Sequence, residues 1–195
     1  MAANDPRGFV PSRHLHGLTS FRTQRFPVSA DNALHVGIAK GDPVRLIGGY
    51  AVKWTAMSAT HANVKAVLGV VSQCLDSNQK PFTHSQPTRG PYIPSSTAGY
   101  VDVHTDPNIV YAVQCDASLP AVNIGQLIDV TAGGVNTAAG VSKMAVKFAT
   151  VTVTATFPFK IIGMAPVELG VADTANNDVE VIINTHTFGQ SRIAE

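Results

Sequence analysis

The sequence predicts a mainly β protein with little helix, organised as one domain, and three observations support that prediction. Short apolar runs are separated by turn residues throughout the chain, which contains 16 glycines and 12 prolines. The segment 149–157, ATVTVTATF, alternates threonine with valine, alanine and phenylalanine, the period-two pattern of a strand with one buried face. A chain of 195 residues is also long enough for one sizeable core, and no long amphipathic helix is evident.

Residues 1–25 are predicted to form an extended N-terminal arm. The segment contains two prolines and two glycines and follows neither a helical nor a strand period. Four apolar side chains spaced along it are candidate anchors for a groove on a partner: Phe9, Val10, Leu15 and Phe21. The alternative, a tail folded back on its own domain, remains open at this point.

Residues 26–195 are predicted to form the β domain. Gly48-Gly49 separates two apolar segments at hairpin spacing, and Gly69 lies inside a β-rich run, where it indicates a bulge or a close backbone approach. Residues 77–99 contain four prolines and many polar residues, which predicts a long surface loop with an interaction role. Phe82 and Tyr92 are the candidate contact residues of that loop, because aromatic side chains often dominate interfaces.

The stretch 100–116, YVDVHTDPNIVYAVQCD, is predicted to be a hairpin at the centre of the sheet. Residues 105–108, Thr-Asp-Pro-Asn, have strong turn chemistry between two apolar runs. The first run alternates apolar with polar residues, whereas the second is apolar on both faces and is therefore expected to be covered on both sides. A short helical turn near 117–124 and strands near 126–130, 159–166 and 178–188 complete the predicted elements.

The composition narrows the classes of function. Only 14% of the residues are charged, against about 25% in typical soluble domains, which favours a surface partly covered by neighbouring proteins. The net charge is +1 without a basic block, so no nucleic-acid partner is expected. The apolar runs are too short to span a membrane, and the first residues, MAANDPRGF, lack the apolar core of a secretion signal. Cys74 and Cys115 are expected to be small buried thiols, with a disulfide left open.

Catalytic and metal-binding motifs are weak. Of seven histidines only His14 and His16 are close in the sequence, without a second cluster at zinc-ligand spacing. Asp102, Asp106 and Asp116 surround the predicted hairpin, where they fit turn and strand-end roles or an acid–base pair. No phosphate-binding loop, GxSxG or HExxH motif is present, so we expect no enzyme activity and no cofactor or metal.

Several segments together resemble a known group of virion proteins. In chain order they are RGFVPSRHLHG, GDPV, AVLGVVSQ, STAGYVDVHTDPNIVYAVQCD, NIGQLIDV, FKIIGM and NDVEVIINTHTFG. The chain is similar, over nearly all of its 195 residues, to the head decoration (cement) proteins of tailed bacteriophages.

This resemblance implies a β-barrel or β-tulip-like protein without enzyme activity, often a homotrimer. Such a protein is made in the host bacterial cytoplasm and binds the major capsid protein on the outer surface of the virion, where it stabilises the expanded head. The arm and loop anchors would then contact the capsid or a sister protomer, and deleting residues 1–20 is expected to weaken capsid binding without unfolding the β core. The alternatives are a head-fibre or receptor- or glycan-binding β module and, more remotely, a small hydrolase.

Overall fold

The computed structural model describes residues 6–17, 20–31, 37–55, 66–82, 91–153, 157–165 and 176–188. These residues are mainly β, which confirms the predicted fold class. They form two larger antiparallel sheets, here called sheet I and sheet II, and two small two-stranded sheets.

Fifteen strands and one short 3-10 turn are present among the described residues. The strands are β1 (Val10–His14), β2 (Thr23–Val28), β3 (Ile38–Ala39), β4 (Pro43–Ile47), β5 (Tyr50–Lys53), β6 (Gly69–Leu75), β7 (Tyr92–Ile93), β8 (Gly99–His104), β9 (Ile109–Gln114), β10 (Leu127–Val130), β11 (Val135–Asn136), β12 (Val141–Ser142), β13 (Val146–Thr152), β14 (Phe159–Met164) and β15 (Asp178–Ile183). The 3-10 turn covers Ala121–Asn123, within the segment predicted to contain a helical turn.

Sheet I has six strands in the order β1-β9-β15-β14-β10-β13. Strand β9 is buried along its whole length, which confirms the prediction that it is covered on both faces. The apolar cluster against this sheet, called core I, includes Phe9, Trp54, Tyr111, Ile128, Phe159 and Val181. Cys115, the residue after β9, forms a bridge with Val146 of β13, so the sheet curls back toward its own β9 end.

Sheet II has five strands in the order β2-β8-β6-β4-β5. Gly48 and Gly49 form the two-residue turn between β4 and β5 with φ angles of 59° and 86°, the left-handed conformations that a tight hairpin of this kind requires. This hairpin was predicted from the sequence and is confirmed. The edge strands β2 and β5 approach each other, and the sheet encloses a second apolar cluster, core II, which includes Ile38, Val44, Val71, Ile93, Val101 and Val103.

The expected barrel is not found in closed form among the described residues. Each sheet curls, but the return contact in sheet I is a single bridge between Cys115 and Val146. In sheet II the strands β2 and β5 are near each other without forming a ladder. The chain therefore builds two curled sheets with separate apolar clusters.

The predicted hairpin at 100–116 is wrong in its pairing, although its turn and both strands are present. Strand β8 belongs to sheet II and pairs with β2 and β6, whereas β9 belongs to sheet I and pairs with β1 and β15. In the turn, Asp106 Oδ1 accepts a hydrogen bond from the Asn108 N–H at 2.8 Å. Such a turn reverses the chain whether the two strands pair or separate, so residues 105–108 carry the chain from one sheet to the other.

The N-terminal segment is packed against its own chain. Strand β1 pairs with β9 at the edge of sheet I, and β2 pairs with β8 at the edge of sheet II. Phe9 is 1% exposed in core I, where its ring stacks on Phe159 with centroids 4.6 Å apart. For the described residues of 1–25 the structure therefore supports the second alternative, a segment folded back on its own domain, although β1 and β2 are extended. Deleting residues 1–20 would remove a strand and a core aromatic ring, so we expect the deletion to destabilise the β core, contrary to the expectation from the sequence.

Two further predictions concern strand detail. Gly69 is confirmed as a point of close approach, because a Cβ there would overlap the His104 backbone carbonyl of β8. The threonine-rich strand exists as β13 but starts earlier, at Val146, and Val153 is 66% exposed where the alternation predicted burial. Residues 154–156 of that segment lie outside the described residues.

Candidate interaction surface

The turn at residues 105–108 is a meeting point for three distant parts of the chain. Immediately after β1, the Leu15 N–H donates a hydrogen bond to the Asn108 carbonyl at 3.0 Å. His14 Nε2 lies 2.9 Å from Asp106 Oδ2. These two contacts hold the end of β1 against the turn that links the two sheets.

The hydrogen bonds around His14 define its tautomer. Its side chain is only 2% exposed, and Nδ1 accepts a hydrogen bond from the His16 N–H at 3.1 Å. Because Nδ1 is an acceptor, Nε2 carries the proton and donates it to Asp106. Partial burial would raise the pKa of Asp106, but hydrogen bonds from the Asn108 N–H and from His14 outweigh it, so the pKa of that carboxyl is lowered.

The segment after β15 forms the third part. His186 is 4% exposed and bridges to Val67, and burial lowers the pKa of its imidazole. His186 lies close enough to the Thr105 backbone and the Asp106 carboxylate for both to raise that pKa in part, which places it at the turn. Its Nδ1 accepts a hydrogen bond from the Phe188 N–H at 3.0 Å. The Phe188 ring lies 6.0 Å from the imidazole and is 63% exposed. A large aromatic side chain is therefore held at the surface by a buried neighbour.

We call the residues around this turn the turn surface: Leu15, His16, Phe21 and Phe188. Leu15 is 37% exposed, His16 is exposed, and Phe21 is half-buried with its ring edge-on to His104 at 5.9 Å. Two predicted anchors thus lie next to this turn: Leu15 through its bond to Asn108, and Phe21 through its contact with His104. Phe188 was missed by sequence reasoning, because it ends an apolar strand pattern and looked like a core residue.

The other predicted anchors lie elsewhere. Phe9 is in core I and its ring is not available to a partner in this conformation. Val10 is 48% exposed and lines a shallow cleft with Arg7, Gln114 and Asp178. Since β1 separates Val10 from Leu15 by about 16 Å of extended strand, the two residues belong to different surfaces.

The two predicted contact residues of the long loop lie on either side of residues 83–90. Phe82 is half-buried, packs against core II and lines a cleft with Lys40 and Pro91. Tyr92 is half-buried in β7, where it pairs with Ala39 of β3. Phe82 and Tyr92 are thus both tied to the domain, whereas residues 83–90 between them lie outside the described residues.

A second group of exposed apolar side chains lies at a corner of sheet I. Val122 is 78% exposed and Ile124 is 44% exposed at the 3-10 turn before β10. The pairing of Leu127 with Thr152 places Val153 beside this segment. We call these residues, Val122, Ile124 and Val153, the corner surface; the sequence carried no signal that separated them from core residues.

The polar residues considered for catalysis have separate structural partners. Asp102 pairs with Arg25, whose Nε lies 2.8 Å from Oδ1, and Asp116 Oδ1 accepts a hydrogen bond from the Phe148 N–H at 2.8 Å. Asp106 bonds His14, so the three carboxylates do not form an acid–base pair. Within the described ranges no group of three or more histidine, cysteine or acidic side chains could hold a metal ion.

Cys74 and Cys115 are free and buried, as predicted, and they do not form a disulfide. Burial raises the pKa of the Cys74 thiol to about 12 and that of the Cys115 thiol to about 11. Both thiols are therefore protonated and unreactive at neutral pH.

No protein-family model, curated protein sequence or solved structure matches the chain. None of the described segments forms a helix long and apolar enough to cross a bilayer.

Proposed function

We propose that this protein is a decoration (cement) protein of a tailed bacteriophage head. It binds the major capsid protein on the outer surface of the shell and stabilises the expanded head. The choice of partner rests on the resemblance of the sequence segments to such proteins, and the mainly β fold is compatible with it.

The observation that supports a protein-binding role is the exposure of apolar side chains on the turn surface. Leu15 and Phe188 come from opposite ends of the described chain, and both are exposed. The Leu15 backbone is bonded to the turn, and Phe188 is held by His186, which lies near Thr105 and Asp106. Exposed apolar and aromatic side chains on a rigid support are the usual anchors of a protein interface. On the capsid they would be covered by a major capsid protein subunit or by a sister protomer.

Repetition makes a small surface sufficient. An icosahedral shell presents the same contact many times, and a homotrimer that binds several subunits at once gains from a high effective concentration. We therefore propose a trimer, in which the three turn surfaces act together. Light scattering after size-exclusion chromatography should give three times the chain mass of 20.5 kDa; a chain that stays monomeric even when bound to capsids would contradict the trimer.

We also propose that the role is not enzymatic. Asp102, Asp106 and Asp116 are each bonded to a separate partner, namely Arg25, His14 and the Phe148 N–H. A hydrolase would instead need titratable groups that converge on a substrate site.

The test is co-sedimentation of the full chain with expanded, empty capsids. Leu15→Asp and Phe188→Asp should each reduce capsid occupancy at least tenfold, because a charge would have to be desolvated in the contact. Val122→Asp on the corner surface is the matched control, since Val122 is more exposed than either residue and is remote from the turn in the chain. It should leave occupancy unchanged.

The proposal is wrong if the unmodified chain does not sediment with expanded capsids. Binding to host cells or glycans without binding to capsids would favour the receptor-binding module. Capsid binding that is lost in Val122→Asp and kept in the two turn variants would move the contact to the corner surface.

A further inference from the structure

A lysine and an aspartate form an isolated pair inside sheet II. Lys53, the last residue of β5, places Nζ 3.0 Å from Oδ1 of Asp42, which directly precedes β4. Their side chains are 2% and 0% exposed. Charged side chains are rarely buried to this extent.

The contact is a buried ion pair with few other polar partners. Besides the 3.0 Å contact with each other, neither Lys53 Nζ nor Asp42 Oδ1 has a hydrogen-bond partner among the described residues. The other carboxyl oxygen, Oδ2, accepts a hydrogen bond from the Ala39 N–H at 2.8 Å. The Ser142 hydroxyl, whose Oγ already accepts the Met144 N–H, also hydrogen-bonds the Asp42 carboxyl group. One side of the carboxyl group is thus anchored, and the other faces the lysine.

Burial favours the uncharged form of the Asp42 carboxyl group. Removing two charges from water is unfavourable, and the attraction between them has to offset that cost. Burial raises the pKa of Asp42. The positive charge of Lys53 and the hydrogen bonds that Asp42 accepts act in the opposite direction. Transfer of one proton from Nζ to Oδ1 converts the pair into a neutral amine and a carboxylic acid. A neutral amine is a nucleophile, and a protonated carboxyl group is its electrophile.

We propose that Lys53 and Asp42 join in an intramolecular amide bond, an isopeptide cross-link between β5 and the start of β4. Nζ attacks Cγ of the protonated carboxyl group and forms the C–N bond, while an electron pair moves onto Oδ2. A second proton passes from Nζ to Oδ1, the Cγ–Oδ1 bond breaks, and Oδ1 leaves as water. The carbonyl re-forms at Oδ2 and one hydrogen stays on the amide nitrogen, so the reaction needs no added reagent.

The neighbours suit this reaction. The Ala39 N–H and the Ser142 hydroxyl are fixed donors for the oxyanion that develops on the carboxyl group. The strands hold Nζ beside the carboxyl group, which supplies proximity without a further loss of freedom. The product replaces a buried pair of charged groups by a neutral amide.

Intact-mass spectrometry of the purified, denatured full chain tests the proposal. The chain should be lighter than its sequence by the mass of one water molecule. Lys53→Arg is the matched control, because arginine keeps the positive charge and does not form the amide; this variant should have its full sequence mass. After tryptic digestion, the unmodified chain should yield a branched peptide joining the segments that contain Asp42 and Lys53, with no cleavage after Lys53.

The proposal is overturned if the folded chain keeps its full mass after prolonged incubation at neutral and mildly acidic pH. It is equally overturned if a lost water maps to another position or persists in Lys53→Arg. Should Lys53→Arg fail to fold, the branched peptide of the unmodified chain decides the question by itself.

Discussion

Phe9 and Val10 are neighbours in the chain but lie in opposite environments. Phe9 is 1% exposed between Phe159 and Tyr111, whereas Val10 is 48% exposed. Phe9→Ala should lower the free energy of unfolding by about 3–5 kcal/mol, through lost burial and the cavity left behind. Val10→Ala, the control, should change it by less than about 0.5 kcal/mol. Chemical denaturation of both variants measures the difference, and equal effects would contradict the packing of Phe9.

These two residues also show why the candidate site was only partly predictable. The sequence marks Phe9, Val10, Leu15 and Phe21 as apolar, but apolar character is the same in a core and in an interface. The distinction depends on which side of β1 faces β9 and core I, and that follows from the pairing of β1 with a strand about 100 residues later. Local patterns do not contain this information.

Buried histidines make stability depend on pH. Burial lowers the pKa of His186 and of His104 in the folded state, whereas in the unfolded chain both have a pKa of about 6.5. Below that pH the unfolded state binds protons that the folded state does not, so the free energy of unfolding should fall as the pH drops. The slope is at most about 1.4 kcal/mol per pH unit for each histidine.

His186→Asn tests this origin, since an asparagine oxygen can replace Nδ1 as acceptor for the Phe188 N–H. Denaturation curves between pH 7.5 and 5.0 should show a shallower loss of stability for the variant, so the difference in stability between the two proteins should narrow as the pH falls. If stability depends on pH equally steeply in the variant and in the unmodified chain, His186 is excluded as a source of the pH dependence.

Strands β6 and β8 meet at a point where a side chain does not fit. A Cβ on Gly69 would overlap the His104 carbonyl, and backbone on both sides would have to move. Gly69→Ala should therefore destabilise the protein by about 1–3 kcal/mol. Gly134→Ala is the control, because nothing lies within 4 Å of a Cβ at that position. Thermal or chemical unfolding measures both variants. An unchanged free energy of unfolding in Gly69→Ala would mean that the two strands can move apart at no cost in stability.

At the scale of elements, strand positions were more predictable than strand partners. The hairpin at Gly48-Gly49 was found because two adjacent glycines with left-handed φ angles favour one local solution. Residues 105–108 have equally strong turn chemistry, yet β8 and β9 separate into different sheets, because β2 and β6 occupy both edges of β8. A turn motif specifies a reversal of the chain, and tertiary packing decides what the strands then contact.

The two sheets should unfold together. Trp54 follows β5 of sheet II, but its ring is 1% exposed in core I, and Val67 and Val70 also pack there from the sheet II side of the chain. Trp54 is the single tryptophan of the sequence, so its fluorescence reports on this shared packing. Fluorescence and far-ultraviolet circular dichroism should give coincident unfolding curves. Two separated transitions would show that the sheets are independent units.

The order of the strands has a consequence for the protein while it leaves the ribosome. All of sheet II lies between residues 23 and 104, so its ladders can form as soon as that segment has emerged. The nascent β1 has no partner until β9 appears, and sheet I lacks the strand between β9 and β14 until β15 is made. An unpaired strand is a template for association with other chains. Pro11 and the irregular register between Pro11 and Arg13 interrupt β1. Such interruptions hinder pairing of β1 with other chains until β9 has been made.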